Sequence, residues 1–370
     1  MNLFQDYFIP LLHEAVRLGT SDIHISAGNT VKFRINGLIV PHEEKVLNPR
    51  DTSLIAANIL VSARKSGHDD IASYLMQLHD EDCSFGVSGI GRFRVNVSRQ
   101  RGSLCLVLRL IPDTPPSFTG LRLPSVLAQI ALENRGMVLI TGATGSGKSS
   151  TLAAMISHIN QNRPVKIVTI EDPIEYLIKD DKASIVQREV GSDTKSFAVA
   201  LRAALRQDPD VIMVGEMRDH ETTDIALKAA ETGHLVLSTV HTVNVAKTIS
   251  RILGIFDQAD QMSIRYRLAE SLKAIVSQTL LPRLDGKGRI VATEIMRATL
   301  TTKECIEDPK KTGQIKDFLE RGRDQYATHS FDQSLMDLYK ENIISLEVAK
   351  SAASSPADFD RNLAFGIEGM

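Results

Sequence analysis

Apolar residues at Leu3, Tyr7, Leu11, Ala15 and Leu18 recur at helical spacing and stop at Gly19, so the chain predicts an amphipathic first helix, with Pro10 inside it. The period then changes. Ser21-Asp22-Ile23-His24-Ile25-Ser26 and Val31-Lys32-Phe33-Arg34-Ile35 alternate as strands, and Asn36-Gly37 predicts a hairpin turn into Leu38-Ile39-Val40. Helices are expected over about 49–65 and 70–78. In the next alternating run Phe93, Val95 and Val97 share one face, and Arg92, Arg94 and Asn96 the other. After a turn at 99–102, Leu104, Leu106, Leu108 and Leu110 repeat the pattern, with Arg109 on the opposite side. The first 111 residues therefore predict a small α+β domain that presents arginines from a β-hairpin.

Three prolines fall within Ile111-Pro112-Asp113-Thr114-Pro115-Pro116-Ser117, which can continue neither neighbouring element. A linker over 112–118 is expected there. Beyond it a helix near 123–133 precedes the apolar run Met137-Val138-Leu139-Ile140, and a helix follows at 149–160. Further apolar runs at 165–170, 211–214 and 235–240 alternate with helical patterns. That alternation predicts an α/β domain over 119–300, with a largely parallel sheet covered on both faces, as in RecA-like P-loop NTPase cores. Residues 301–370 are helical in pattern and end in a tail from Ser354 expected to be mobile.

Composition narrows the class. Across 370 residues, 43% hydrophobic and 24% charged, the formal net charge is −2, which gives no bulk attraction to nucleic acid or anionic lipid. Cys83, Cys105 and Cys305 have no paired spacing, so neither a zinc site nor a disulfide framework is expected, and the reducing cytoplasm fits. The sequence contains no apolar run of the ~20 residues a membrane helix needs, and Met1–Leu18 does not read as a signal peptide.

The candidate chemistry begins at Gly142-Ala143-Thr144-Gly145-Ser146-Gly147-Lys148-Ser149, between an apolar run and the helix opened by Ser150. This spacing fits a P-loop that binds ATP. Backbone N–H groups and the helix dipole surround the phosphates, Lys148 reaches the β/γ-phosphates, and Ser149 offers its hydroxyl to Mg²⁺. Glu171-Asp172-Pro173-Ile174-Glu175 stands after a parallel strand, where a carboxylate can orient the attacking water; Glu175 is the candidate base. The run Val211-Ile212-Met213-Val214-Gly215-Glu216 occupies a Walker-B position with Gly215 where most such enzymes place an aspartate, so Glu216 becomes the candidate partner of the Mg²⁺ water shell. His234 and His241 bracket an apolar run; each is a γ-phosphate sensor or a structural histidine. Arg94 and Arg109 fit arginine fingers or strand-face residues covering acidic neighbours. A nucleic-acid reading of Arg92, Arg94, Arg99 and Arg101 lacks an interleaved stacking aromatic, and no stable nucleic-acid binding is expected.

Taken with Gln187-Arg188-Glu189-Val190, the block 201–210, Val214-Gly215-Glu216-Met217-Arg218-Asp219 and the stretch from Thr232-Gly233-His234 to His241-Thr242, these motifs resemble the secretion-ATPase superfamily. Within it they resemble the type IV pilus retraction ATPases, PilT and PilU. The resemblance implies a homohexamer of a PAS-like N-terminal domain and a RecA-like domain, with ATP bound between them and at subunit contacts. It implies Lys148 and Ser149 as phosphate and Mg²⁺ ligands, Glu175 as catalytic base, Glu216 as Walker-B acid, His234 and His241 as nucleotide-side sensors, and Arg94 and Arg109 as arginines brought to the γ-phosphate. The stretch 301–308 departs from the retraction segment of PilT-type members, and with the tail at 356–363 it is similar to PilU, the accessory member.

The expected function is an ATP-hydrolysing motor of twitching motility. It would be peripheral at the inner-membrane pilus base, with the pilus platform protein and a PilT-type ATPase as partners. Two alternatives are a secretion or DNA-uptake assembly ATPase on the same scaffold, and a ring adaptor that binds ATP structurally.

Overall fold

The computed structural model describes residues 2–35, 37–63, 70–112 and 114–367. Asn36 of the expected hairpin turn, the end of the helix expected to 65, and Asp113 of the linker lie outside the described residues. The chain forms two compact units: Met1–Thr114 with Pro173–Leu177 and Glu189–Asp193, and Pro115–Asp172 with Ile178–Arg188 and Thr194–Met370.

The first unit is built on six strands: β1 (Asp22–Ser26), β2 (Thr30–Ile35), β3 (Leu38–Val46), β4 (Asp80–Val87), β5 (Gly91–Gln100) and β6 (Ser103–Ile111). They form an antiparallel sheet in the order β3-β2-β1-β6-β5-β4. Its apolar face, with Ile23, Phe33, Phe93, Val95 and Leu108 all at most 1% exposed, packs with Ile55 and Ile59 of the helix Pro49–Ser62. A capping box between Asn48 and Asp51, and Pro49 in the first turn, start that helix. The first helix is shorter than the sequence suggests: a π-helical turn over Phe4–Phe8 leads into Ile9–Arg17. Pro10 falls in the first turn of that helix, where its missing N–H goes unused. The strand β4 escaped the alternation test because Cys83, Ser84 and Phe85 are buried in succession.

The second unit carries β7 (Gly136–Thr141), β8 (Lys166–Glu171), β9 (Ser184–Glu189), β10 (Val211–Val214), β11 (Leu235–Val240), β12 (Leu272–Pro282) and β13 (Arg289–Arg297). The order is β13-β12-β7-β11-β10-β8-β9. The pairs β12–β7, β7–β11, β11–β10 and β10–β8 are parallel, and β12–β13 is antiparallel. Every residue of β7, β10 and β11 is buried, as central strands covered on both faces require. A side chain at Gly136 would meet the Ser271 carbonyl at 2.6 Å, so β7 starts on a glycine.

The C-terminal region is helical, but it does not end as expected. Pro356–Ile367 forms a helix whose Phe359 is 2% exposed among Leu335, Ile344 and Ala349, and Lys350 pairs with Asp360 at 2.7 Å. Among the described side chains, burial of the Phe359 ring and the Lys350–Asp360 pair hold the tail. Among the described residues no helix is long and apolar enough to cross a membrane.

His329 ties this region to β13, with Nε2 2.8 Å from Thr293 Oγ1 and a backbone bridge to Ile295. Burial, assisted by Arg323, pushes its imidazole from the ordinary 6.5 down to about 4. Between those values the unfolded chain binds a proton that the folded chain does not. Stability is therefore full above pH 6.5 and falls as pH drops toward 4, with a loss of about 2 kcal/mol by pH 5. Urea midpoints at pH 7 and pH 5 should differ accordingly, and less so in His329→Gln. Equal slopes in the two proteins would contradict this assignment.

Candidate nucleotide site

The strand β7 ends at Thr141, the loop 142–147 follows, and the helix Lys148–Asn162 begins at once. Gly142 is required by close approach: a Cβ there would lie 2.4 Å from both the Gln278 carbonyl and Ser146 Oγ. Gln278 Nε2 donates to the Ser146 carbonyl at 2.7 Å, so β12 supports the loop from beneath. Lys148 is 8% exposed and its Nζ donates to the carbonyls of Gly142 and Ala143, each at 3.0 Å. Burial lowers its pKa, and the charge of Glu216 opposes that shift. Ser149 is exposed at the helix start, Ser150 is half-buried, and Ala143, Thr144 and Gly145 form the exposed rim. Ser146 Oγ is buried and has no hydrogen-bond partner among the described residues. A cradle that a methyl group would fill, an inward ammonium and a helix N-terminus together suit a bound anion. A cavity of about 170 Å³ adjoins it, lined by Gly147, Ser150, Thr151, Leu280 and Arg289 among others.

The sheet brings further groups to the same end. Parallel β11 lies between β7 and β10, so the residues following these three strands converge at their carboxyl ends. Glu216 follows β10, and its carboxylate takes Arg218 Nε at 2.5 Å and lies 3.5 Å from His241 Nε2. Position 215 is glycine because a Cβ would press on the Ile170 carbonyl at 3.2 Å and the Phe197 ring at 3.4 Å. The acid is thereby displaced by one residue from the usual position. Burial and then the charge of Lys148 lower the His241 pKa, and Glu216 opposes them. His241 is therefore held toward its neutral form.

His234 is not brought to this site. It precedes β11, where Leu235 pairs with Gly136 at the start of β7, and its ring nitrogen Nδ1 lies 2.9 Å from the Ala229 carbonyl. Six strand residues separate it from the loop end of the sheet, roughly 20 Å. Within one chain this histidine therefore stands at the opposite end of the sheet from the loop.

Arg94, Arg109 and Glu175 belong to the first unit. Arg94 stands directly opposite Arg109 across β5 and β6, Arg109 opposite Asp22, and Asp22 opposite Arg34. Asp22 is 6% exposed and accepts from Arg109 Nε at 2.8 Å. Burial alone would raise its carboxyl, but the bonds from Arg109 and Ser21 outweigh it and hold it below the usual carboxylate range. Arg109 does cover an acidic neighbour, yet its side chain stays 64% exposed, with Nε alone bonded among the described residues. Glu175 is exposed. By contrast Glu171 is 9% exposed and takes bonds from Thr169 Oγ1 at 2.7 Å and Gln187 Nε2 at 3.1 Å, a structural role. Sequence reasoning missed Gln278, on a strand no periodicity marked, and Asp22, whose pairing only the register reveals.

Comparison with known proteins shows what the chain as a whole is similar to. The family described as type II/IV secretion system protein matches residues 3–363. A Neisseria gonorrhoeae "twitching motility protein" is 41% identical over 339 residues, 91% of this chain and 90% of the relative. The Pseudomonas aeruginosa "type IV pilus ATPase PilU" is 39% identical over 363 residues, 98% of this chain and 92% of the relative. The chain belongs to the PilT/PilU family of type IV pilus retraction ATPases. The crystal structure of "the pilus retraction motor PilT and bound ADP" superposes with a TM-score of 0.85 at 42% identity, covering 95% of this chain and 98% of that one. The α/β fold and the helical C-terminal region are those of this PilT/PilU family.

Proposed function

We propose that this chain is an ATP-hydrolysing motor that powers type IV pilus retraction and twitching motility, working as a homohexamer. Its first unit is read as PAS-like, its second as RecA-like, with 112–118 as the linker. The observation that carries the reading is the convergence of buried Lys148 with half-buried Glu216 and exposed His241 at the carboxyl ends of three neighbouring strands.

The loop amides of 142–147 and the helix N-terminus take the phosphates of ATP, and Lys148 exchanges its carbonyl partners for the β/γ-phosphates. Ser149 and, through water, Glu216 would hold Mg²⁺, which neutralises phosphate charge when bound; it needs few protein ligands because it keeps several waters. Glu175 orients and deprotonates the attacking water. Arg94 and Arg109 supply positive charge to the γ-phosphate, with Asp22 fixing the Arg109 fork. His241, held neutral beside Glu216, can hydrogen-bond the γ-phosphate without adding charge. His234 is no part of this set.

The departure at 301–308 and the tail at 356–363 support a PilU-like accessory role, at the cytoplasmic face of the pilus base, with a PilT-type ATPase and the platform protein as partners. An adaptor ring would need neither glutamate nor the two arginines. Glu216→Ala should lower turnover by about 10²-fold or more while a fluorescent ATP analogue still binds. Normal hydrolysis by that variant would remove the assignment.

A further inference from the structure

The block Gln187-Arg188-Glu189-Val190 has no part in the chemistry above, yet Glu189 is 3% exposed. A carboxylate buried to that degree must be paired and hydrogen-bonded. Its Oε2 accepts from Arg92 Nη2 at 2.9 Å and from the backbone N–H of Ile174 at 3.1 Å. Its Oε1 accepts from Ser192 Oγ at 3.2 Å, and its own N–H donates to Asp193 at 2.8 Å. Both main partners lie next to residues of the proposed chemistry. Arg92 stands two positions before Arg94 on β5, on the same side of the strand. Ile174, 2% exposed, immediately precedes the exposed Glu175. One carboxylate therefore ties the strand that carries Arg94 to the turn that carries Glu175, and all of these residues belong to the first unit.

We infer that Glu189 is a positioning residue that fixes Glu175 relative to Arg94, so that the base and the arginine move as one body. This rests on the reading of Glu175 as the base. The link is a charge-assisted pair reinforced by a backbone N–H, the stronger class of hydrogen bond. It anchors the peptide beside Glu175 and leaves the Glu175 side chain exposed. A displacement of about 1 Å in a catalytic group costs on the order of 10²-fold in rate. Nucleotide affinity, set by the loop at 142–149, should not feel it.

The test is steady-state ATP hydrolysis by the full-length chain, with the dissociation constant of a fluorescent ATP analogue and the melting temperature measured on each variant. Glu189→Gln keeps the volume but places an amide against Arg92; kcat should fall by about 10- to 100-fold, with KM and the analogue's Kd within about threefold of the parent. Arg92→Met breaks the same link from the other side without touching Glu189, and should reproduce the split if Glu189→Gln folds poorly. The double variant should lose no more kcat than the worse single one, because one link cannot be broken twice. A kcat for Glu189→Gln within about twofold of the parent, additive losses in the double variant, or kcat and Kd worsening together would overturn the inference. Glu175→Gln serves as the control: if it retains turnover, the assignment of the base fails with everything built on it. If it abolishes turnover while Glu189→Gln does not, the positioning role alone fails.

Discussion

Lys148→Ala should abolish measurable ATP turnover, with kcat/KM lowered by about 10³-fold. The ammonium is 8% exposed and sits between the carbonyls of Gly142 and Ala143, with the charge of Glu216 beside it. Removing it takes the one cation buried in the loop away from the phosphates and leaves two inward carbonyls without their donor. A second effect reports the loss independently of activity. Lys148 is one of the charges that lower the His241 pKa, whereas Glu216 raises it. In Lys148→Ala the imidazole should therefore titrate at a higher pH than in the parent, as read by NMR. An unchanged His241 titration together with parental turnover would mean that the lysine does not face this site.

Glu175→Gln should lower kcat by about 10²- to 10⁴-fold and leave ATP binding nearly unchanged. The substitution is isosteric, and the side chain is exposed, so the turn should survive. The neighbouring acid offers a contrast: Glu171 is buried and bonded to Thr169 and Gln187, so Glu171→Gln should act through stability rather than through the chemical step. Single-turnover and binding measurements on Glu175→Gln separate the two effects. Parental kcat in that variant would contradict its role as base.

The legibility of this molecule in its sequence depends on which physical signal each part leaves. The loop 142–149 was readable because its glycines, lysine and serine answer to local backbone geometry, which a short motif records. Strands β7, β8, β10 and β11 were readable as apolar runs because both their faces are covered. Strands β12 and β13 were not: the helix Gln261–Ser271 passes directly into β12 without a breaker, so no turn residue marks the change. With β12 unread, Gln278 beneath the loop had no visible purpose. His234 and His241 look alike in sequence, flanking one apolar run, and only the parallel register with β7 separates them to opposite ends of the sheet. The tail misled for a different reason. Its serines and aspartates read as solvated, whereas Phe359 is buried among residues that precede it by ten positions or more.

The central claim is that this chain hydrolyses ATP as a ring. The most direct test is Mg²⁺-dependent hydrolysis by the purified full-length protein, with its mass determined by light scattering in the same buffer and Lys148→Ala run alongside. The account predicts turnover that co-elutes with a hexamer and disappears in the variant. A well-folded hexamer without hydrolysis, or equal turnover in Lys148→Ala, would contradict it.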